Sequence, residues 1–303
     1  AGAPLYIGKA TNLRSRVRSY FAGDQRRRID DMLRDTVSID HLATTCEIEA
    51  AVIELRQIAE HAPRYNRRSK PPRTLHYVTL TDERYPRLSV TRTHRRGLLQ
   101  LGPFRNRRTA ERVMRALWDA SPIRRCTTKG RGCEWAQLGV SVCPCDGSFD
   151  DAAYREIVDE LAHAIGHDPS VLANRIATRL SALAEHRRYE EAASLRDDWA
   201  SLSTALDRHR AVHSLHAAGT VIAKRDDALV SMVGGRFDAA WRVGSTPPLR
   251  SVGRLDFGRR IEHVDEAMLL WRWLNHPETR LIEVSGTLAT PARGIPELVA
   301  LPG

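Results

Sequence analysis

Clusters of proline and glycine constrain this chain most, because they break it into segments that cannot form one continuous element. The clusters are Pro71-Pro72, Gly97 with Gly102-Pro103, Pro144 with Gly147, and Gly166 to Pro169. Proline interrupts helices and central strands, and glycine favours turns, so such clusters are typical of boundaries. We therefore predict a front α/β segment (1–92), a cysteine-containing connector (97–150), a helical region (151–212) and a small αβ segment (213–303).

Composition excludes several classes of protein. The 303 residues are 42% hydrophobic and 28% charged, which is typical of a globular chain of about two or three domains and not of a disordered one. No apolar stretch approaches the roughly 18 residues that a membrane span needs, and the first residues lack a signal-peptide pattern. Five cysteines are too few for a secreted disulfide framework, so we expect a reducing, cytoplasmic location.

The charge is unevenly distributed along the chain. Residues 1–132 contain 28 Lys and Arg against 13 Asp and Glu, whereas residues 133–303 contain 19 against 24. Nearly all cations of the front half are arginine, whose planar group pairs with phosphate through two hydrogen bonds. A GC-rich genome would explain arginine in place of lysine, but it would not explain the segregation. The front half therefore predicts a nucleic-acid partner.

Local patterns predict an α/β (α+β) fold. In the front half, strands are expected at Pro4–Ile7, Ser38–Thr45, His76–Thr81 and Arg87–Thr91, with helices from an Asn12 cap to Tyr20 and over Glu47–Glu60. Strands are expected in the last segment at Thr220–Ala223, Ala228–Val233, Phe237–Val243 and Arg280–Ser285, with a helix over Val264–Leu274.

Several front-half residues suit phosphodiester hydrolysis, which needs an activated water and a cation beside the phosphate. Tyr6 precedes the Gly8 turn, and a phenol becomes a useful base when cations such as Lys9 or Arg16 lower its pKa from about 10. Glu54 is suited to hold one hard divalent cation through oxygen. Taken singly, each residue also has an ordinary structural interpretation, such as a packed aromatic, a solvated arginine or a surface ion pair.

Four sequence blocks, in order, closely resemble the GIY-YIG nuclease domain of the UvrC family of excision-repair proteins. The blocks are Leu5 to Phe21 with its Tyr6-Ile7-Gly8, Glu47 to Leu55, Pro63 to Asn66, and Tyr85 to Arg92. The resemblance implies that Tyr6 is the general base, Arg16 contacts the phosphate and Glu54 binds one Mg²⁺ or Mn²⁺. It also implies supporting roles for Lys9, Tyr20 and Asn66.

The family begins with a further strand carrying Gly-(Ile/Val)-Tyr, about ten residues before the segment that Tyr6 occupies here. Nothing precedes Ala1 in this sequence. We expect that the chain is a fragment of a longer polypeptide; the alternative is that the nuclease is disabled.

Four cysteines fall within one stretch of the connector: Cys126, Cys133, Cys143 and Cys145. Clustered thiolates suit Zn²⁺ or an iron–sulfur cluster, and the alternative is a remnant with free thiols. The UvrC family has a [4Fe–4S] cluster here, with its last two ligands as C-x₃-C, whereas this chain has Ser141 at the third position and Cys143 two residues later. Cys46 stands apart and is expected to be a small buried residue.

A helical hairpin is predicted from apolar residues spaced by three and four: Ala192, Leu195, Trp199, Leu202 and Leu206. Leu180 and Leu183 lie on the preceding helix, and the turn falls at His186 to Arg188. The run from Arg188 to Asp197 resembles the UVR motif, through which UvrC proteins bind the helicase-like subunit UvrB. The alternative is an ordinary amphipathic hairpin packed inside the protein.

These features lead to a primary hypothesis of a metal-dependent DNA endonuclease of nucleotide excision repair, cutting on the 3′ side with a UvrB-type partner. A non-catalytic adaptor that binds DNA and UvrB is the second hypothesis, and a redox-sensing cluster protein is the third. The layout resembles the shorter Cho-type homologues and the UvrC-like half of proteins fused to a DnaQ-type exonuclease, because residues 213–303 are too short for the RNase H-like and helix-hairpin-helix parts of UvrC.

Overall fold

The computed structural model of the protein describes residues 2–22, 27–66, 71–95, 98–127, 133–144, 149–248 and 259–289. The helices are α1 (Leu13–Ser19), α2 (Arg27–Asp35), α3 (Glu47–His61), α4 (Arg107–Ala120), α5 (Glu134–Gln137), α6 (Asp151–Gly166), α7 (Ser170–Glu185), α8 (Tyr189–Ala217) and α9 (Ile261–Leu274). The strands are β1 (His76–Leu80), β2 (Leu88–Thr91), β3 (Gln100–Phe104), β4 (Thr220–Arg225), β5 (Ala228–Val233), β6 (Arg236–Arg242) and β7 (Arg280–Val284).

The chain divides into two compact units. The first unit joins Ala1–Pro72 to Val212–Ala289, and the described part of the second unit runs from Arg73 to Ala211. The boundary falls inside α8, whose last turns belong to the first unit. Residues 1–72 of the predicted front segment therefore share one unit with residues 213–289, whereas residues 73–92 of that front segment belong to the second unit. Local sequence patterns do not predict this grouping. The division of the sequence into four segments stays a prediction about its organisation.

The sheet of the first unit has the order β6-β5-β4-β7, with all neighbours antiparallel. Helices α3 and α9 pack together, and both contact β6. Buried residues from all of these elements form one core, which includes Ile48 and Val52 of α3, Val230 of β5 and Leu270 of α9. Helix α3 is therefore anchored by residues more than 150 positions away in sequence.

The second unit has a three-stranded antiparallel sheet of order β2-β1-β3, against which α4 packs. Its core combines residues of this sheet and of α4 with apolar residues of α6, α7 and α8, such as Leu161, Ile176 and Leu202. The cap of α4 is Asn106, whose side chain accepts a hydrogen bond from the backbone N–H of Thr109 at 2.8 Å. A core that involves both the sheet and the helices explains why these parts form a single compact unit.

Most predicted elements are confirmed. The predicted strands at His76 and Arg87 form β1 and β2, and the C-terminal strands form β4 to β7 with shifts of one or two residues. Asn12 caps α1 by accepting a hydrogen bond from the backbone N–H of Ser15 at 2.9 Å. Helix α3 ends at His61, two residues before Pro63. Ala62, between them, adopts a left-handed conformation.

Two predicted strands are wrong: neither Pro4–Ile7 nor Ser38–Thr45 forms a strand. A strand needs a neighbour that pairs with its backbone groups, and the described residues provide no ladder partner for either segment. Val37, Ile39 and Leu42 are instead exposed. Cys46 is half-buried at the N-cap of α3, so the expectation of a buried residue is also wrong. Among the described helices, none has the length and apolar character that crossing a bilayer requires.

Candidate active site

The segment that carries Tyr6 is held in place by Asn66, which lies just beyond α3. The side-chain amide of Asn66 accepts a hydrogen bond from the backbone N–H of Ile7 at 3.0 Å and donates one to the carbonyl of Ile7 at 2.8 Å. The backbone N–H of Tyr65 donates to the carbonyl of Leu5 at 3.0 Å. Asn66 is buried, so these bonds fix the backbone on both sides of Tyr6 in a site where unpaired polar groups would be costly.

Gly8 allows the chain to pass close to the ring of Tyr6. A Cβ atom at this position would lie 2.8 Å from the Tyr6 hydroxyl oxygen and 2.8 Å from a ring carbon. Any larger residue would therefore displace the phenol, which is the physical reason for glycine here. Tyr6 remains 37% exposed, so its ring is open to a ligand from solvent.

Arg16 links the two tyrosines of the site. From α1, its Nη2 donates to the Tyr6 hydroxyl at 3.5 Å, and its Cζ lies 5.2 Å from the centroid of the Tyr20 ring. The two rings meet edge to face, with centroids 6.2 Å apart and planes inclined by 77°. The hydrogen bond to Tyr6 and the proximity of Tyr20 raise the pKa of Arg16. Arg16 therefore presents a permanent positive charge between two phenols.

Tyr20 is a neutral group at any physiological pH. Burial of its hydroxyl, followed by the nearby hydroxyl of Tyr6, raises the pKa of Tyr20 to about 12. This hydroxyl oxygen is buried and has no hydrogen-bond partner among the described residues. A buried hydroxyl without a partner is costly, so a bound water or phosphate oxygen would complete its hydrogen bonding.

Glu54 faces two cations from α3. Burial raises the pKa of Glu54, while the charge and the backbone N–H of Lys9 and the charge of Arg16 act in the opposite direction. The ammonium group of Lys9 donates to a carboxylate oxygen of Glu47 at 2.9 Å. No role was predicted for Glu47. Its spacing of seven residues from Glu54 could have indicated one, because this spacing places both carboxylates on one face of α3.

The structure thus brings every predicted residue of the front segment into one group, here called the Tyr6 cluster: Tyr6, Lys9, Arg16, Tyr20, Glu54 and Asn66. Tyr6, Tyr20 and Glu54 each interact with Arg16 or Lys9. Asn66 holds the backbone of Ile7, next to Tyr6. The catalytic role of each residue stays a prediction.

The Tyr6 cluster fits a hard divalent cation. Mg²⁺ commonly binds through one or two carboxylates and completes its shell with water and phosphate oxygens. Glu54 supplies a half-buried carboxylate, and the unpaired hydroxyl of Tyr20 lies in the same cluster. The exposed arginines of α1, Arg14, Arg16 and Arg18, add a cationic surface suited to a phosphate backbone.

A separate group of thiols lies in the second unit. The sulfur atoms of Cys126, Cys133 and Cys143 all lie within 4.8 Å of one another, and those of Cys126 and Cys143 are 3.6 Å apart. Tetrahedral Zn²⁺ with bonds of about 2.3 Å would separate its sulfurs by about 3.8 Å, so this spacing fits a thiolate-bound metal. Cys145, the fourth predicted ligand, lies outside the described residues.

The surroundings of these thiols also fit a bound group. Ser141, two residues before Cys143, is buried, and its hydroxyl has no hydrogen-bond partner among the described residues. The buried guanidinium of Arg124 lies 3.8 Å from the sulfur of Cys126. Burial acts to raise the pKa of Cys133, but hydrogen bonds from backbone N–H groups and the other two thiols outweigh it, so that this pKa is lowered.

The predicted hairpin is formed by α7 and α8, and its turn contains Arg187 in a left-handed conformation. The apolar residues of α8 are buried in the core of the second unit: Ala192, Leu195, Trp199, Leu202 and Leu206. The carboxylate of Asp198 is also buried there, and it accepts hydrogen bonds from Arg112 at 3.0 Å and from Arg115 at 2.7 Å and 2.9 Å. The rest of the unit therefore covers one face of the hairpin, while Tyr189 at its tip is 65% exposed.

Comparison with known protein families agrees with these features. Residues 1–67 match the family model of the UvrC-like GIY-YIG domain, and residues 75–164 match that of the middle domain of UvrC/Cho excinucleases. Together the two matches cover just over half of the chain. The chain belongs to the UvrC family. UvrC-family membership confirms the resemblance on which the nuclease hypothesis was built.

Individual relatives extend the UvrC match. A protein of Mycobacterium tuberculosis, whose name describes a putative bifunctional exonuclease/endonuclease, is 36% identical in an alignment of 322 positions. The alignment covers 97% of this chain and 50% of that protein. UvrABC system protein C of Moorella thermoacetica is 30% identical over 77% of this chain and 39% of its own length. The corresponding protein of Haloarcula marismortui is 34% identical over 76% of this chain and 38% of its own length. The chain thus spans half or less of these relatives. No solved structure matches it.

Proposed function

We propose that this chain is a divalent-metal-dependent DNA endonuclease of nucleotide excision repair that cuts the damaged strand on the 3′ side of a lesion. The observation that carries the proposal is the Tyr6 cluster, in which Arg16 contacts both tyrosines and its charge acts on Glu54. Hydrolysis of a phosphodiester needs a base, a cation at the phosphate and a carboxylate for a metal, and this cluster supplies all three.

Each residue of the cluster has a distinct role in this proposal. The oxygen of Tyr6 takes a proton from the attacking water as its own hydroxyl proton passes to solvent. Water oxygen then bonds to phosphorus, the bond between phosphorus and the 3′ oxygen of the leaving nucleotide breaks, and that oxygen takes a proton from solvent to become a hydroxyl. Arg16 pairs with a non-bridging phosphate oxygen, and its position beside Tyr6 brings that phosphate next to the base.

The remaining residues orient the reacting groups. Glu54 would hold Mg²⁺ or Mn²⁺, which, when bound, stabilises the charge that develops on the leaving oxygen. Tyr20, which keeps its proton, donates its free hydroxyl to a phosphate oxygen or to the attacking water. Lys9 adds positive charge beside Glu54, and Asn66 fixes the backbone of the Tyr6 segment.

The hairpin of α7 and α8 is the proposed contact for a UvrB-type subunit. Because the apolar side of α8 is buried in the second unit, the partner would bind the exposed tip and outer side of the hairpin. Tyr189 lies there, next to the ion pair in which Arg188 donates two hydrogen bonds of 2.6 Å to Glu191. The exposed ring of Tyr189 beside the ion pair of Arg188 and Glu191 is suited to a polar interface that buries one aromatic side chain.

The cysteine group is proposed to hold an iron–sulfur cluster or Zn²⁺ as a structural centre of the second unit. Cys126, Cys133 and Cys143 would be ligands, with Cys145 as the fourth. We expect the protein purified without oxygen to retain iron or zinc and the Cys126→Ser variant to bind that metal at least about 10-fold more weakly. Elemental analysis after dialysis measures this, with Cys46→Ser as the matched control because Cys46 lies in the first unit. A metal-free wild-type protein would dismiss both the centre and the redox-sensor hypothesis.

Incision of a lesion-containing duplex tests the proposed function. The full chain and a UvrB-type subunit are incubated with a duplex carrying one bulky adduct, with Mg²⁺ or with EDTA. We expect one nick in the damaged strand on the 3′ side of the adduct, and none in EDTA, because a bound divalent cation is required. Binding of DNA and subunit without any nick would contradict the proposal and indicate the adaptor alternative. A nick on the 5′ side alone would contradict the proposed incision side.

A further inference from the structure

Helix α3 connects the Tyr6 cluster to the core of the first unit. Its Glu54 takes part in the Tyr6 cluster, whereas Ile48 and Val52 are buried in the core that α9 and the C-terminal sheet form. The C-terminal segment contributes no residue to the Tyr6 cluster among those described, yet it forms much of the surface against which α3 packs. Its role must therefore be sought in what it does to α3.

One buried ion pair connects α3 to this segment. Arg56 donates from Nε to one carboxylate oxygen of Glu266 at 2.9 Å and from Nη2 to the other at 2.6 Å. The same Nη2 donates to the carbonyl of Phe237 at 2.7 Å, and the backbone N–H of Phe237 donates to Glu266 at 2.9 Å. The side chain of Glu266 is 1% exposed and that of Arg56 is 34% exposed. Three elements, α3, β6 and α9, thus meet in one closed set of hydrogen bonds.

A pair of this kind is better suited to orientation than to stability. Removing two charges from water costs free energy that their attraction often only balances, so apolar residues of similar size can give equal stability. The paired hydrogen bonds of a guanidinium and a carboxylate are directional, however, and allow few relative arrangements. The pair therefore restricts the rotation and the sliding of α3 against α9 more than apolar packing would.

The position of Arg56 makes that restriction relevant to Glu54. Residues two positions apart on an α-helix are separated by a rotation of about 200° around its axis. The side chains of Glu54 and Arg56 therefore point to nearly opposite sides of α3. A helix fixed by a directional contact on one side presents its opposite side in a fixed direction. A contact that fixes this side of α3 also limits the positions that the carboxylate of Glu54 can take relative to Lys9 and Arg16.

We infer that Arg56 and Glu266 are positioning residues for the nuclease site, and that the C-terminal αβ segment is the scaffold that holds α3 for metal binding through Glu54. This inference rests on the proposed function. It gives the described residues of the C-terminal segment a role in the proposed nuclease site rather than in a separate activity.

The test compares metal dependence in three full-length variants. Glu266→Gln keeps the size of the side chain but removes its charge, and the double variant Arg56→Met with Glu266→Leu replaces both partners with apolar side chains. Each also removes the charge that faces Arg236, whose guanidinium lies 3.8 Å from Glu266. Arg115→Gln is the control, because it removes one of the two arginines that donate hydrogen bonds to the buried carboxylate of Asp198 in the second unit. For each variant, nicking is measured against Mg²⁺ concentration, and DNA binding is measured separately by fluorescence anisotropy.

We expect the Mg²⁺ concentration for half-maximal nicking to rise about 10-fold or more in Glu266→Gln and in the double variant, which is the usual effect of losing the support of a metal ligand. DNA binding should stay unchanged. Arg115→Gln should leave the Mg²⁺ midpoint where it is, since a loss of stability alone lowers the amount of active protein and not its affinity for metal. An unchanged midpoint in a folded double variant would overturn the inference.

A direct measurement separates this result from failure of the proposed function. Binding of Mn²⁺ to each variant is followed by calorimetry, with the Glu54→Ala variant defining the contribution of this site. If the wild-type chain binds Mn²⁺ through Glu54 but does not nick DNA, the proposed function fails. The inference is then still tested by comparing the Mn²⁺ affinities of the wild type and the variants. Equal Mn²⁺ affinity in wild type and variants, or no binding that depends on Glu54, would overturn the inference.

Discussion

Replacing Glu54 with alanine is expected to reduce the nicking rate of the full chain by at least about 10²–10³-fold, the usual cost of losing a main source of transition-state charge stabilisation. Glu54 is the carboxylate of the Tyr6 cluster that faces both Lys9 and Arg16. Without it, the Tyr6 cluster keeps two cations and loses its own carboxylate, while the nearby carboxylate of Glu47 is already bonded to Lys9. Single-turnover nicking of a lesion-bearing duplex in saturating Mg²⁺ measures the loss.

Two further variants isolate the role of Glu54. Glu54→Gln keeps the shape of the side chain and should lose activity almost as completely, because a neutral amide is a poor ligand for a hard cation. Glu60→Ala changes an exposed glutamate on the same helix and should retain wild-type activity. DNA affinity should be similar in all variants, since the exposed arginines of α1, which are the proposed phosphate contacts, are unchanged. Equal nicking by Glu54→Ala and wild type would rule out this site.

The residues of the Tyr6 cluster could be predicted from the sequence because they lie in short motifs whose spacing is characteristic. Asn12 marks the start of α1 and Pro63 follows the end of α3, so the helices that carry Arg16 and Glu54 were correctly located. The motifs do not specify contacts, however. The position of Arg16 between two tyrosine rings, and the pairing of Asn66 with the backbone of Ile7, depend on how the chain folds and not on any local motif.

Other features were missed because their causes are not local. Strand β3 contains Gly102 and Pro103, which as a local signal indicate a break, yet pairing with β1 places them in a sheet. The segments at 4–7 and 38–45 have strand-like composition but lack a partner among the described residues, and pairing rather than composition makes a strand. The ion pair of Arg56 and Glu266 joins residues 210 positions apart, so no pattern within one segment could reveal it.

The hairpin carries two sequence interpretations, of which the structure tests one. The apolar spacing of α8 predicted a packed hairpin, and the apolar face is packed inside the second unit. The UvrB contact, which rests on the resemblance of the run from Arg188 to Asp197 to the UVR motif, stays a prediction. Packing of that face leaves the tip and the outer side exposed, with Tyr189 among the exposed residues. A partner site and a packed seam are therefore compatible, because a helix has more than one face.

Replacing Tyr6 with phenylalanine is expected to lower the nicking rate by about 10²–10⁴-fold, the usual contribution of a general base. The substitution removes one oxygen atom and leaves the ring, its edge-to-face contact with Tyr20 and the close approach of Gly8 intact. Arg16 would lose its hydrogen-bond acceptor but keep its contact with the Tyr20 ring. The loss should therefore appear in the rate at saturating DNA and Mg²⁺, with little change in the affinity for either.

Tyr20→Phe provides the comparison that distinguishes the two tyrosines. Because burial raises the pKa of Tyr20 to about 12, this hydroxyl keeps its proton below pH 10 and is expected to donate a hydrogen bond rather than to accept a proton from water. The Tyr20→Phe variant should lose a smaller factor, about 10-fold for one hydrogen bond of roughly 1.4 kcal/mol, and should keep the wild-type shape of the pH–rate profile between pH 6 and about 10. A profile that changes shape in Tyr20→Phe but not in Tyr6→Phe would reverse the assignment, making Tyr20 the base and Tyr6 its supporting donor.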